Sequence, residues 1–188
     1  NTGATELYDG TSWTEVNDLN TARSLLAGCG TSTAGLAFGG NEDTETWNGT
    51  NWTEVNNLNA AKDALGGFGT NTSALAFGGN PGPTANTELW NGTNWAEVNN
   101  LNTARNQLAG LGTQPSALAF GGEGPPNLAI TELWNGTSWS EQSDLNAAVR
   151  FNAGAGTTTA GLSFGGDNGP VKASTESWNV PSNVVKTL

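Results

Sequence analysis

One phrase, Thr-Glu-Leu-Trp-Asn-Gly-Thr-Asn-Trp at 87–95, returns almost unchanged from Thr5, Thr44 and Thr131, and in a worn copy from Thr175. Such repetition constrains the fold more than composition does, because each unit must bury its apolar surface against its own copies. The second Trp of the phrase falls at Trp13, Trp52, Trp95 and Trp139, with spacings of 39, 43 and 44. A Phe before Gly-Gly falls at Phe38, Phe77, Phe120 and Phe164 with the same spacings. The stretches between Gly-Gly and the next Thr-Glu are 41–43, 80–86, 123–130 and 167–174, which are 3, 7, 8 and 8 residues long. Without them each period is 36 residues, so the unit is a constant body with one elastic loop.

The body reads as four short strands. Asn-Gly between two strand-like runs signals a hairpin with a two-residue turn. That turn predicts Trp90 opposite Thr93 and Glu88 opposite Trp95. Both Trp and both Glu then share one face, while Thr87, Leu89 and Val98 share the other. Neither face is purely polar, which implies a sheet covered on both sides. The segment from Arg105 to Thr113 ends in small residues, as a strand does where sheets converge, and the next run is an apolar strand ending in Gly-Gly. Four strands per period of about 40 describe a blade of an all-β propeller. No sustained helical period is present, which excludes a helical solenoid. The expected layout is a half blade at 1–19 and blades at 20–58, 59–101, 102–145 and 146–188. That makes four complete blades plus an N-terminal hairpin, with five sheets preferred to four. The two inner strands that would complete the first sheet are expected upstream or from a partner chain.

Gly39-Gly40, Gly78-Gly79, Gly121-Gly122 and Gly165-Gly166 each precede an aromatic and then a Trp, and a basic residue opens the next strand. This order resembles the kelch repeat over nearly the whole chain. Trp-Asn-Gly-Thr, Asn-Leu-Asn-Thr-Ala-Arg and Leu-Ala-Phe-Gly-Gly are similar in wording to repeat proteins of marine bacteriophages and environmental genomes. Two departures stand out: Tyr8 replaces the first Trp in one copy, and Asn183 replaces the second Trp in the last, which reads as an end cap. The resemblance implies a first strand lining a central channel. Arg23, Lys62 and Arg105 then lie near one mouth, on the same face as the elastic loops.

The eight Trp all lie in the hairpin phrase and are expected to pack between blades. Nine of the seventeen acids are equally periodic: Glu6, Glu45, Glu88, Glu132 and Glu176, then Glu15, Glu54, Glu97 and Glu141. A catalytic carboxylate pair needs two different environments, which a ladder of equivalent residues does not supply. With no His and no nucleophile arrangement, the chain reads as no enzyme. No cofactor or metal is expected either: "NEDT" and "DNG" lack the spacing of a calcium loop. Cys29 fills the slot of Phe68, Leu111 and Ala155 and reads as a packing residue. Asn-x-Thr/Ser sequons occur at Asn48, Asn51, Asn71, Asn91 and Asn135, and those at Asn48, Asn91 and Asn135 are the turn Asn itself, which turn chemistry explains.

A net charge of −11 with no basic stripe argues against nucleic acid as a partner. No apolar run approaches the ~18 residues of a membrane helix, so membrane insertion is not expected. The chain has no Met and opens inside a repeat, so residue 1 reads as lying downstream of the translation start. Arg23, Lys62 and Arg105 are equivalent, whereas Arg150 lies one residue late because Val149 takes the matching slot. The competing reading for these cations is pairing with Glu. Loops that differ while bodies repeat point to a binding face. The candidate ligand-binding set is Arg23, Lys62, Arg105 and Arg150 with Asn80, Thr84, Asn86, Glu123, Asn127, Asp167, Asn168 and Lys172. The expected function is a non-enzymatic module taking a protein or glycan ligand on the loop face. Its setting is a virion or the extracellular space, as a phage receptor-binding or decoration domain. The alternative is a structural part of a particle or filament, self-associating through blade edges.

Overall fold

Every extended segment of the computed structural model, which describes residues 1–179, is a short antiparallel strand, and the described residues contain no helix. An N-terminal hairpin pairs β1 (Thr5–Tyr8) with β2 (Trp13–Val16). The first blade is β3 (Leu26–Thr31), β4 (Ala34–Gly39), β5 (Thr44–Trp47) and β6 (Trp52–Glu54). The second is β7 (Gly66–Thr70), β8 (Ser73–Phe77), β9 (Thr87–Trp90) and β10 (Trp95–Val98). The third is β11 (Ala109–Thr113), β12 (Ser116–Phe120), β13 (Thr131–Trp134) and β14 (Trp139–Glu141). The fourth shows β15 (Ala153–Thr157), β16 (Ala160–Phe164) and β17 (Thr175–Asn179). Strands follow chain order within each blade, giving the propeller meander, and the hairpin is a separate fifth sheet. The expected cap at Asn183 lies outside the described residues.

The blades stack through their innermost strands, β3 on β7, β7 on β11 and β11 on β15. Small residues are needed there. A Cβ at Gly67 would stand 2.5 Å from the Phe38 ring, and one at Gly110 2.6 Å from the Phe77 ring. Each blade's Phe thus presses on the next blade's inner strand. A backbone seam reinforces this. Leu25, Ala64, Gln107 and Phe151 all adopt positive φ, near 50–57°. Each of the last three donates its N–H to the carbonyl of the one before, at 2.9, 2.7 and 2.8 Å.

The two Trp of a blade make different hydrogen bonds, one within the blade and one to the sheet before it. The first Trp of a blade fixes its own inner turn: Trp47, Trp90 and Trp134 donate their indole N–H to the carbonyls of Ser32, Asn71 and Gln114. The second reaches back to the preceding sheet. Trp95 donates to Thr44 Oγ1 and lies 5.0 Å from the Phe38 ring; Trp139 donates to Thr87 Oγ1 and lies 5.2 Å from Phe77. Trp52 likewise donates to Thr5 of the hairpin. The clusters around these rings draw on two adjacent blades each, so the core lies between blades.

Two expectations are corrected. The hairpin loop has four residues, because the Asn91 side-chain carbonyl accepts the N–H groups of Thr93 and Asn94 at 3.0 and 2.9 Å. Gly92 supplies the positive φ of 93°. The register is Trp90 opposite Trp95 and Glu88 opposite Glu97. This is a two-residue slip from the predicted pairing, so the face assignments survive. The second correction is Trp13, which is 65% exposed and packs between no blades. Among the described residues no hydrogen bond, ion pair or aromatic pair links residues 1–58 to residues 146–179, so nothing covers its ring from the fourth blade.

Candidate functional site

The cations that open each inner strand prove to be interior groups. Lys62 Nζ stands 2.6 Å from Glu88, Arg23 3.3 Å from Glu45, and Arg105 is hydrogen-bonded to Glu132; all six side chains are at most 3% exposed. Each of these Glu also accepts from an Asn. Asn59 donates its backbone N–H and side-chain amide to Glu88 at 2.8 and 2.7 Å, and Asn20 and Asn102 do the same for Glu45 and Glu132. Burial pulls the guanidinium pKa of Arg23 and Arg105 down, while Glu45 and Glu132 pull them back up. Guanidinium stays protonated regardless. These pairs tie the entrance of each of the first three blades to its third strand and present no charge to a ligand. The channel-mouth role that the resemblance implied for Arg23, Lys62 and Arg105 is therefore replaced by a buried structural one. The partner row Glu54, Glu97 and Glu141, at the blade edge, is exposed.

In the fourth blade Val149 holds that slot and is buried, and the cation has moved one residue on. The shift turns Arg150 outward, to about 30% exposure, where it joins two loops. Its Nη1 donates to Glu123 at 2.9 Å and its Nε to Asp167 at 3.0 Å. The hydrogen bonds to Asp167 and Glu123 raise the Arg150 pKa, and Arg150 holds the Asp167 carboxyl below its ordinary value. A depressed carboxylate keeps the pair intact on acidification through the usual carboxylate range, and it is lost only as pH falls through the lowered value.

The elastic loops sit beside these residues on one face. Bridges pair Asn41 with Lys62, Asp63 with Asn80, Asn106 with Glu123, and Arg150 with Asp167. Side chains extend the row. Asn80 donates to Asp63 at 3.1 Å, and Asn106 donates to Asn80 at 2.6 Å. A polar rim thus runs Asp63, Asn80, Asn106, Glu123, Arg150, Asp167 across three blades. Beside its cationic end stands Phe151, 51% exposed, with the Arg150 guanidinium 5.6 Å from its ring centre. Asn168 is exposed near Asp167, and Lys172 and Asn127 are half-buried. Thr84 and Asn86 are turned to loop structure: the Thr84 hydroxyl accepts the Asn86 N–H at 3.2 Å, and its carbonyl accepts Arg105 N–H at 3.1 Å. Leu128 does the same for Val149 and Asn41 for Lys62, so the loops of the first three blades also clasp the following blade.

Of the residues singled out from sequence, the rim brings together Asn80, Glu123, Arg150 and Asp167. Asp63, Asn106 and Phe151 were not anticipated. Phe151 could have been noticed as the one aromatic in a slot otherwise filled by Leu25, Ala64 and Gln107. No group of three or more His, Cys, Asp or Glu stands close enough to hold a metal among the described residues. Cys29 packs beside the Leu36–Phe38 cluster, and burial pushes its thiol up to about 12. A free thiol titrates near 8.5, so the thiolate fraction at pH 8 falls on the order of a thousandfold. Alkylation of the folded chain at that pH is expected to be slow, and urea is expected to restore the ordinary rate. A fast native rate measured by mass spectrometry would contradict this. No protein-family model matches the chain, and a search of curated proteins finds no match to it.

Proposed function

We propose that this β-propeller is a non-enzymatic binding module of kelch-like type whose rim takes a hydroxyl-rich ligand, a glycan or a glycosylated surface protein. The observation that carries the reading is the exposed Phe151 ring set beside Arg150, Glu123 and Asp167. An apolar ring face flanked by planar charged acceptors and donors suits a sugar, which stacks its C–H face and hydrogen-bonds its hydroxyls. The body offers little else: every Trp but Trp13 spends its indole N–H on a hydrogen bond within or between sheets, and Glu45, Glu88 and Glu132 are committed to buried cations. The mixed but mainly acidic rim does not suit a polyanion such as nucleic acid. By wording the repeats fit a phage particle, where such a module serves receptor binding or decoration outside the cell.

Whole-loop exchange is a poor probe, because Thr84 and Leu128 also clasp the next blade. Point variants of the exposed groups separate binding from folding. On a glycan and surface-protein array, Phe151→Ser and Glu123→Gln are expected to lose the wild-type signal at least tenfold with the melting temperature unchanged. Full binding by both variants would reject the rim as the site.

A second reading is a structural component assembled through its blades. It is favoured by the large apolar side chains that are exposed on the first and last described sheets: Tyr8 and Trp13 on one, Leu162 and Phe164 on the other.

A further inference from the structure

The ends of the array carry the two halves of a contact that the interior already makes twice in full. Inside, each blade offers a Leu and a Phe forward, and the next blade lays its second Trp on that Phe. Phe38, Phe77 and Phe120 are 0, 0 and 4% exposed, but Phe164 is 39% exposed. Leu36, Leu75 and Leu118 are 1, 0 and 1% exposed, but Leu162 is 43% exposed. On the opposite side, Trp95 and Trp139 are 6 and 5% exposed and Trp13 is 65% exposed. Tyr8 lies against Trp13, 5.1 Å between ring centres, and is half exposed at 50%. Thr175, at the position of Thr44 and Thr87, is exposed and receives no indole N–H among the described residues.

We propose that the forward face of the fourth blade docks the hairpin of a second copy of this chain. Trp13 seats on Phe164 with its indole N–H donated to the Thr175 hydroxyl, and Tyr8 lies toward Leu162. The proposal rests on the structural reading above and is independent of what the rim binds. The occupant follows from continuity: the hairpin is the same sequence phrase, in the same register, that fills this position between interior blades. The contact joins unlike surfaces, so copies add in one direction, into a ring or a filament. A hairpin brings two strands where an interior blade brings four. The seam therefore lacks the inner strand that Phe38 and Phe77 press on, and a micromolar association is expected. Copies with a net charge of −11 repel each other, so added salt strengthens the association by screening.

Sedimentation velocity of the 188-residue chain over a range of concentrations tests this. The average mass is expected to rise with concentration and with salt. Trp13→Ser is expected to remain monomeric with unchanged melting, since its ring is 65% exposed, and Phe164→Ser is expected to remain a folded monomer with somewhat lower melting, since its ring is 39% exposed. A mixture of the two variants is expected to stop at 1:1 dimers, because one keeps only a working tail and the other only a working head. A wild-type chain that stays monomeric throughout overturns both this seam and the structural reading. Wild-type association that neither substitution alters leaves the structural reading standing and overturns this seam.

Discussion

Replacing Glu132 with alanine is expected to destabilise the chain by about 3–5 kcal/mol, the cost of stranding a buried charge. Arg105 is fully buried, and among the described residues its guanidinium has only Glu132 and the carbonyls of Thr103 and Ala119 as partners. Glu132 also takes the two Asn102 donors, so its loss leaves the Asn102 backbone N–H unpaired and its side-chain amide with the Trp139 carbonyl alone. A double variant, Arg105→Leu with Glu132→Leu, removes both charges and is expected to fall within about 1–2 kcal/mol of wild type, since a packed apolar pair often replaces a buried ion pair without loss. Urea unfolding measures both. A single variant as stable as the double one would show that the pair is not the blade's internal brace. The fourth blade is the natural control. There Asn146 still cradles Glu176 through two 2.7 Å hydrogen bonds, but Val149 replaces the cation, and Glu176 is only half-buried. Glu176→Ala is expected to cost less.

The second large effect concerns Trp139. Its ring is 5% exposed, stacks beside Phe77 and Trp134, and donates to Thr87 in the preceding blade. Trp139→Ala opens a cavity between blades two and three, and about 3–5 kcal/mol is expected to be lost. Trp13 occupies the same place in the phrase, yet Trp13→Ala is expected to stay within about 0.5 kcal/mol, because its ring is mostly in water. A comparable loss at both positions, measured on dilute protein, would mean that the hairpin is packed in some other way.

The repeat arithmetic made the four-stranded unit, the elastic loops and the five sheets legible, because strand number and loop position follow from spacing alone. Three things did not follow, each for a physical reason. Asn-Gly was read as a two-residue turn. The Asn side chain instead substitutes for a backbone acceptor and closes a four-residue loop, which shifts register without exchanging faces. Equivalence in sequence also concealed inequality of neighbours. Trp13 matches Trp52, Trp95 and Trp139 residue for residue, but a buried ring needs a preceding blade, and periodicity carries no information about what borders the first unit. The two Glu rows share a face yet differ in depth, since Glu88 lies on the third strand beside Lys62 and Glu97 on the blade edge. The one-residue displacement of Arg150 was visible, and so was its change of face. That it would link Glu123 to Asp167 required the loops to be folded against it.

Exchange of the eight indole N–H protons tests the central claim, that the Trp ribbon joins blade to blade. Seven of them are hydrogen-bonded: four to carbonyls of inner turns, at Trp47, Trp90, Trp134 and Trp178, and three to threonine hydroxyls of the preceding sheet, at Trp52, Trp95 and Trp139. In dilute, ¹⁵N-labelled protein transferred to D₂O, seven indole signals are expected to persist and the Trp13 signal to vanish at once. Loss of the Trp95 and Trp139 signals as quickly as that of Trp13 would contradict the account.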